Sequence, residues 1–279
     1  MNNSKIKLLA ITFFICLSSA SFAQKINLDS LNSHNAFKVG ETLIYSVKYH
    51  LIRGGIATLS LNLFQNGDGY VYYAKAEAKT TGTARLFANI YDTYESYFDL
   101  FTGYPVRATR TIHENHYWYY NDVIFNQDSG YVWSLRSGRK KVPTPILDFL
   151  SAYYFARKFL FNRQFKKGQI IDLTTYFEDH VFPLKIKYKK TTKIHTKFGR
   201  VQALMFVPAL DAKDNPFKKE DDLKIYFSDD GNYIPLKVVM HTKFGNVKAV
   251  LIKYQNLNYP FGIPYKEYLE KMKQLHLNQ

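Results

Sequence analysis

The segment His113-Glu114-Asn115-His116 comes closest to a metal motif in this sequence. On a strand Glu114 and His116 point the same way, so a carboxylate and an imidazole could donate together to zinc. A structural zinc site needs four ligands, and neither a cysteine nor a second histidine cluster is there to complete it. Asp211, Asp214, Asp221 and Asp222 surround the loop DAKDNPFKKEDD, whose carboxylates suit calcium. Its spacing is not that of a known calcium loop and it carries three lysines, so a solvated loop is the expectation. The pentapeptide HTKFG occurs twice, at 195–199 and 241–245, and could mark a repeated site or a repeated piece of fold. No G-x-S-x-G, H-E-x-x-H or P-loop is present. The expectation is therefore no catalytic residue, no cofactor and no metal. A catalyst would need converging polar groups, and Asp148, Arg157, His116 and Glu114 are the ones to test.

The strand HYWYYND, 116–122, is more suggestive. Alternation puts Trp118 and Tyr120 on one face with His116, and Tyr117 and Tyr119 on the other. Aromatic strand faces stack on sugars, line lipid pockets or simply fill a β core. For a cavity, Tyr45, Tyr49, Trp118 and Tyr120 are the candidate lining, with Asp148 and Arg157 as polar ligand contacts.

Period-two alternation dominates the elements that must position these groups. Leu43, Tyr45, Val47, Tyr49 and Leu51 share one strand face. After Arg53-Gly54-Gly55 the alternation resumes with Ala57, Leu59, Leu61 and Leu63, which predicts a hairpin around the Gly-Gly. A third strand starts at residue 70. Further strands are predicted near 93–99, 105–114, 116–126, 131–135, 170–178, 181–190, 200–208, 222–228, 233–242 and 247–257. One helix interrupts them, with Thr144 as cap, Pro145 at the first helical position and Asp148 in the first turn. A second follows Pro264, with Tyr265, Tyr268, Leu269, Met272 and Leu275 as its stripe. The fold class is all-β, an antiparallel barrel or strongly curved sheet with one inserted helix and a C-terminal helix. Both HTKFG copies sit between alternating segments, with Gly199 and Gly245 where a hairpin needs a positive φ, so the repeat reads as fold. The strands after them are apolar on both faces, as central strands are.

The chain opens with MNNSKIK and an apolar run over residues 8–16, ending at Ser21-Phe22-Ala23. That is the pattern of a secretory signal peptide cleaved after Ala23, so residues 1–23 are leader and the location is periplasmic. The single cysteine, Cys16, lies inside it, behind bulky Phe13-Phe14-Ile15, which disfavours lipidation. A mature chain from Gln24 has no disulfide or thiolate. Residues 24–35 read as a flexible segment, 36–258 as the β domain and 259–279 as a tail with the second helix. The formal net charge is +15 over the chain. It suits either attraction to anionic lipid, glycolipid or glycan, or a lysine-rich solvated surface, and lysines alternating with apolar residues, as over 184–189, favour the second. Nucleic acid is not an expected partner, and no second apolar run is long enough to span a bilayer as a helix.

Phe37-x-x-Gly40-Glu41-x-Leu43-x-Tyr45, followed by Ile52-x-x-Gly55-x-Ala57-x-Leu59, resembles the opening of the bacterial domain-of-unknown-function family 3108. Asp148-x-Leu150-Ser151-x-x-Tyr154-x-x-Arg157 is similar to that family's helical segment, and Gly168, Gly199 and Pro235-Leu236-Lys237 also fit. The resemblance covers about residues 36–255. It implies an exported β-rich protein and no established activity. The expected function is non-catalytic binding or carriage of an apolar or amphiphilic envelope ligand. The alternative is a structural or interaction module of an envelope assembly.

Overall fold

A computed structural model describes residues 35–49, 52–160, 164–210, 217–242 and 245–277. The expected leader, Cys16, most of the 24–35 segment and the Asp211 and Asp214 carboxylates lie outside them.

Among the described residues the chain forms one fourteen-stranded antiparallel sheet. The strands are β1 (Thr42–Tyr49), β2 (Ile52–Asn66), β3 (Gly69–Thr80), β4 (Tyr91–Phe98), β5 (Pro105–Glu114), β6 (Tyr117–Asn126), β7 (Tyr131–Ser134), β8 (Gly138–Lys141), β9 (Ile170–Phe177), β10 (His180–Thr196), β11 (Gly199–Pro208), β12 (Leu223–Ser228), β13 (Pro235–Thr242) and β14 (Gly245–Gln255). Helix α1 (Phe149–Leu160) falls between β8 and β9, and helix α2 (Tyr265–Leu277) follows β14. The spatial order is β8 to β1 in reverse, then β14 down to β9. Two meanders are thus joined at the β1–β14 pair, leaving β8 and β9 as the edges. The sheet is strongly curved and not closed. Its two edges are consecutive in sequence, and the connection between them carries α1, which packs on the concave side.

The alternation in the sequence decides which side that is. Leu43 and Tyr45, Leu61, Tyr72 and Ala74, and Phe98 are buried, and α1 lays Leu150, Ala152, Tyr154 and Ala156 against this side. Rings fill the space between: Phe37 meets Tyr154 at 4.9 Å and Tyr72 at 5.6 Å, and Phe98 stacks on Tyr154 at 5.5 Å. Under α1 the concave side is thus filled by side chains rather than by a ligand-sized hollow.

Several boundaries differ from the sequence reading. Gly54 and Gly55 lie inside β2, and the β1–β2 turn falls at 50–51, outside the described residues. Val47 pairs with Gly55 and Lys48 with Arg53, so Gly54 is the extra residue of a bulge. Gly55 is glycine because a Cβ would stand 2.4 Å from the Lys79 carbonyl. Helix α1 starts four residues later than Pro145. The Leu147 amide donates to the Thr174 carbonyl (3.0 Å) and the Leu147 carbonyl accepts from Tyr176 (2.7 Å), so β9 holds residue 147 extended and Asp148 becomes the cap. His113-Glu114-Asn115-His116 is not one strand: β5 ends at Glu114, and Asn115 turns with φ 52°. Strand β8 was unforeseen because Gly-Arg-Lys-Lys has no apolar alternation.

The repeat is a repeat of fold. Thr196 pairs with Gly199 and Thr242 with Gly245, and the glycines have φ +102° and +134°. Because β11, β12 and β13 intervene, the two hairpin turns point to opposite ends of the sheet. His195 and His241 therefore cannot share a metal. Strand β11 is central and buried on both faces from Ala203 onward. Gly199→Val should cost about 1 kcal/mol or more, because a β-branched residue resists that φ although the space is open. His195→Gln, at an exposed strand end, should stay within about 0.5 kcal/mol. Thermal melts compare the two.

Candidate functional site

Glu41 and Arg157, both from segments quoted above, meet at the centre of the fold. Their side chains are 1% and 0% exposed. Arg157 Nη1 and Nη2 donate to the two Glu41 carboxylate oxygens at 2.6 and 2.7 Å, a bidentate pair. Its Nη2 also donates to the Ala36 carbonyl, and its Nε to the Asn232 carbonyl, both at 2.9 Å. Phe37, Tyr153 and Tyr154 place their rings 5.3–5.5 Å from the guanidinium. Burial opposes the charge, but Glu41 more than offsets it and raises the Arg157 pKa further. One side chain thus ties α1 to the N-terminal segment, to β1 and to the β12–β13 turn. Tyr45 stands at the edge of this cluster. Its hydroxyl, like those of Tyr153 and Tyr154, is buried without a hydrogen-bond partner among the described residues, and burial raises all three pKa values.

Asp148 is at the other end of α1. Its Oδ1 accepts from the Leu150 and Ser151 amides at 2.8 and 3.2 Å, and its own amide donates to Ser151 Oγ at 2.9 Å. Ser96 on β4 donates to Oδ2 at 2.5 Å. This is a reciprocal cap, with a serine in place of the usual Glu, fastened to the sheet. Burial raises the Asp148 pKa despite these bonds.

A cleft of about 60 Å³ lies between Asp148 and Arg110. The Arg110 guanidinium is 5.0–5.4 Å from the rings of Tyr94, Tyr119 and Phe177, and pairs with Glu178 at 2.8 Å. Asp179 accepts from Asn121 (3.2 Å) and Ser137 (2.9 Å). Burial works to raise its pKa, but hydrogen bonds from Ser134, Ser137, Asn121 and Tyr176 outweigh it and the pKa is lowered. The space suits a few waters, not a substrate. These groups lock the β9–β10 turn against β5, β6 and the β7–β8 hairpin, where the sheet stays open.

The larger concavity is a groove of about 580 Å³ between α2 and the β10–β11 strands. Phe165, Tyr188, Leu204 and Tyr233 supply its aromatic and apolar floor, and Tyr265 and Leu269 of α2 its roof. Gln164, Thr191, Gln202, Asp229, Lys266, Glu267 and Glu270 supply polar groups. Tyr188 and Thr191 share a hydroxyl hydrogen bond of 2.8 Å, and Gln202 donates to Asp229 at 2.7 Å. Burial, and then the neighbouring Asp230, raise the Asp229 pKa. Helix α2 leans on this face through Tyr265 and Tyr268 against Tyr259, while Leu269 and Leu275 of its stripe are exposed.

Of the residues singled out from sequence, the structure brings Tyr45 and Arg157 into one cluster and puts Asp148 nine residues away along α1. Tyr49 is exposed at the end of β1. Trp118, 65% exposed, and Tyr120 stack on each other on the convex face, while Tyr119 faces the Arg110 cleft. Four strands separate β6 from β1 in the sheet. Sequence reasoning missed the groove: its floor joins the β10–β11 hairpin to Phe165 and to Tyr233 of the β12–β13 turn, and its roof is α2, a set brought together only by the fold. Among the described residues no group of three or more His, Cys, Asp or Glu could hold a metal, and no helix is long and apolar enough to cross a membrane.

The chain is similar to several solved structures at low identity. A β-barrel-like protein of the domain of unknown function DUF1849 from Brucella abortus is 12% identical, with a TM-score of 0.51 over 78% of this chain and 97% of that one. A hypothetical protein from Chlamydia trachomatis (10%, TM-score 0.34, 81% and 91%) and a DUF1089 family protein from Pseudomonas aeruginosa (11%, TM-score 0.32, 72% and 90%) match more loosely. The first supports the curved β fold alone, and the other two carry no argument. No curated protein matches the chain. The profile of one family covers residues 44–252, which include β1 to nearly the end of β14 and the α1 motif, and on that match the chain belongs to DUF3108, a family of proteins of unknown function.

Proposed function

We propose that this is a non-catalytic binding protein of the cell envelope. Its ligand would be an amphiphile seated in the groove under α2. The single observation that supports this most is the groove's composition: an aromatic and apolar floor, a polar rim, and a volume of about 580 Å³, within the usual range for small-molecule sites. Tyr45, Trp118 and Tyr120 do not line it. The periplasmic location belongs to the same proposal and rests on the leader pattern in residues 1–23.

The experiment is native mass spectrometry and lipid extraction on protein purified from its own envelope. It is joined to a titration with a fluorescent amphiphile, 1-anilinonaphthalene-8-sulfonate. Leu269→Glu, at a partly exposed roof position, should weaken probe binding about tenfold or more, because it removes apolar contact worth about 1.5–3 kcal/mol when covered. Absence of any co-purifying ligand, together with probe binding that Leu269→Glu does not change, would reject the groove. The interaction module of an envelope assembly would then take its place.

A further inference from the structure

The convex face of β12, β13, β14 and β1 brings cations together where strand pairing would normally keep them apart. Lys48 lies directly opposite Lys248. Val239 pairs with both Lys248 and Lys224, so these residues form one cross-strand row. At the usual strand spacing it is about 15 Å long. Lys237 stands beside the row, 5.0 Å from the Tyr226 ring. Like charges directly opposite one another destabilise a sheet. Among the described residues no carboxylate pairs with Lys48, Lys237 or Lys248, and Lys224 alone is neutralised, by Asp221 at 2.7 Å. Partial burial, then the charges of Lys248 and Lys224, lower the Lys237 pKa.

A second feature adjoins the row. The β3–β4 connection contains a short 3-10 helix, Gly82–Leu86, followed by Phe87. Leu86 and Phe87 are 84% and 87% exposed. The Thr81 amide donates to the Gly54 carbonyl at 3.1 Å, which fixes this loop beside the β2 bulge that faces Val47 and Lys48. Two apolar side chains therefore project at the same end of the sheet as Lys48.

We propose that this end of the sheet docks on an anionic lipid bilayer, with Leu86 and Phe87 entering the interface and the lysine row lying over the headgroups. Lysines act as hydrated point charges without the planar fork that reads one bound anion, so a flat row of them suits a diffuse negative surface. Peripheral attachment needs both an electrostatic and an apolar contribution, and the loop supplies the second. The proposal does not rest on the groove, which lies at the opposite end of the sheet beside the β12–β13 turn.

The test is flotation of the full chain with vesicles of phosphatidylcholine alone or mixed with phosphatidylglycerol, at low and high salt. Binding is expected only to the phosphatidylglycerol vesicles, with release as salt rises. Lys48→Gln with Lys248→Gln should lower partitioning about tenfold or more. The same double variant should melt no lower than the parent, since it removes repulsion, so its loss of binding cannot be unfolding. Leu86→Ser with Phe87→Ser should weaken the binding that survives at high salt. Absence of flotation, or equal flotation with both vesicles, overturns the proposal. So does binding to dextran sulfate without binding to phosphatidylglycerol vesicles, which would point to a soluble acidic polysaccharide instead.

Discussion

Glu41→Ala is expected to destabilise the protein by about 3–5 kcal/mol, because it leaves the Arg157 guanidinium buried without its counter-charge. Arg157→Ala should cost at least as much, since it also strips the Ala36 and Asn232 carbonyls of their donor and opens a cavity beside Phe37 and Tyr154. The informative comparison is the double variant Glu41→Met with Arg157→Met. Apolar replacement of a whole buried pair is often neutral or better elsewhere. Here recovery should be only partial, because two backbone carbonyls remain unsatisfied. Urea unfolding of the three variants measures this. A double variant as stable as the parent would show that the pair's role is orientation of α1 and not stability. An Arg157→Ala loss under 1 kcal/mol would show that water reaches this centre.

The double variant also addresses why the two segments that carry the sequence resemblance meet in the core. Gly40-Glu41 opens β1, and the helical motif from Asp148 to Arg157 is α1 itself. Read along the chain, an Asp, a Glu and an Arg in marked positions suggest chemistry. In space they are anchors: Arg157 fastens one end of the helix and Asp148 the other. The fold needs both because α1 carries the chain between two sheet edges that do not pair with each other.

What could be read from sequence follows the same physics. Strand alternation is a local signal, and it located β1 through β7 and β9 through β14 to within a few residues, apart from the longer far end of β10. Gly199 and Gly245 were legible because a turn closed by a glycine bulge demands a positive φ there. Strand β8 was not, because an edge strand of Gly-Arg-Lys-Lys is charged rather than alternating, as exposed edges commonly are. The start of α1 was misplaced because Leu147 satisfies its backbone on β9, a long-range pairing no local propensity reports. The faces of HYWYYND were separable by alternation, but which face was the inner one was not. That depends on where α1 packs, and α1 took the side of Tyr119. The lysine row was invisible for a related reason: its members are adjacent only through the register of four strands.

Asp148 separates the contribution of a cap from that of a charge. Asp148→Ala should lose about 2–4 kcal/mol, from the helix cap and from the stranded Ser96 hydroxyl. Asp148→Asn keeps an acceptor for the Leu150 and Ser151 amides, and the Ser96 hydroxyl can turn to accept from the new amide. It should therefore cost little at neutral pH, or stabilise, because it removes an ionised group that burial disfavours. The pH dependence follows from the raised pKa. The folded protein holds the Asp148 proton to a higher pH than the unfolded chain does. That contribution to stability is complete below the ordinary aspartate value, about 3.9. It is lost as pH rises through the higher folded value. The asparagine variant has no such loss, so its stability relative to the parent should improve from acid toward neutral pH. Asp230, also buried with a raised pKa, is common to both proteins and cancels in the difference. Melts of parent and Asp148→Asn across this range provide the check. A constant difference would mean that Asp148 titrates alike in the folded and unfolded states. A variant that falls behind as pH rises would mean that the ionised carboxylate, through the cap and the Ser96 bond, is favoured in the folded protein.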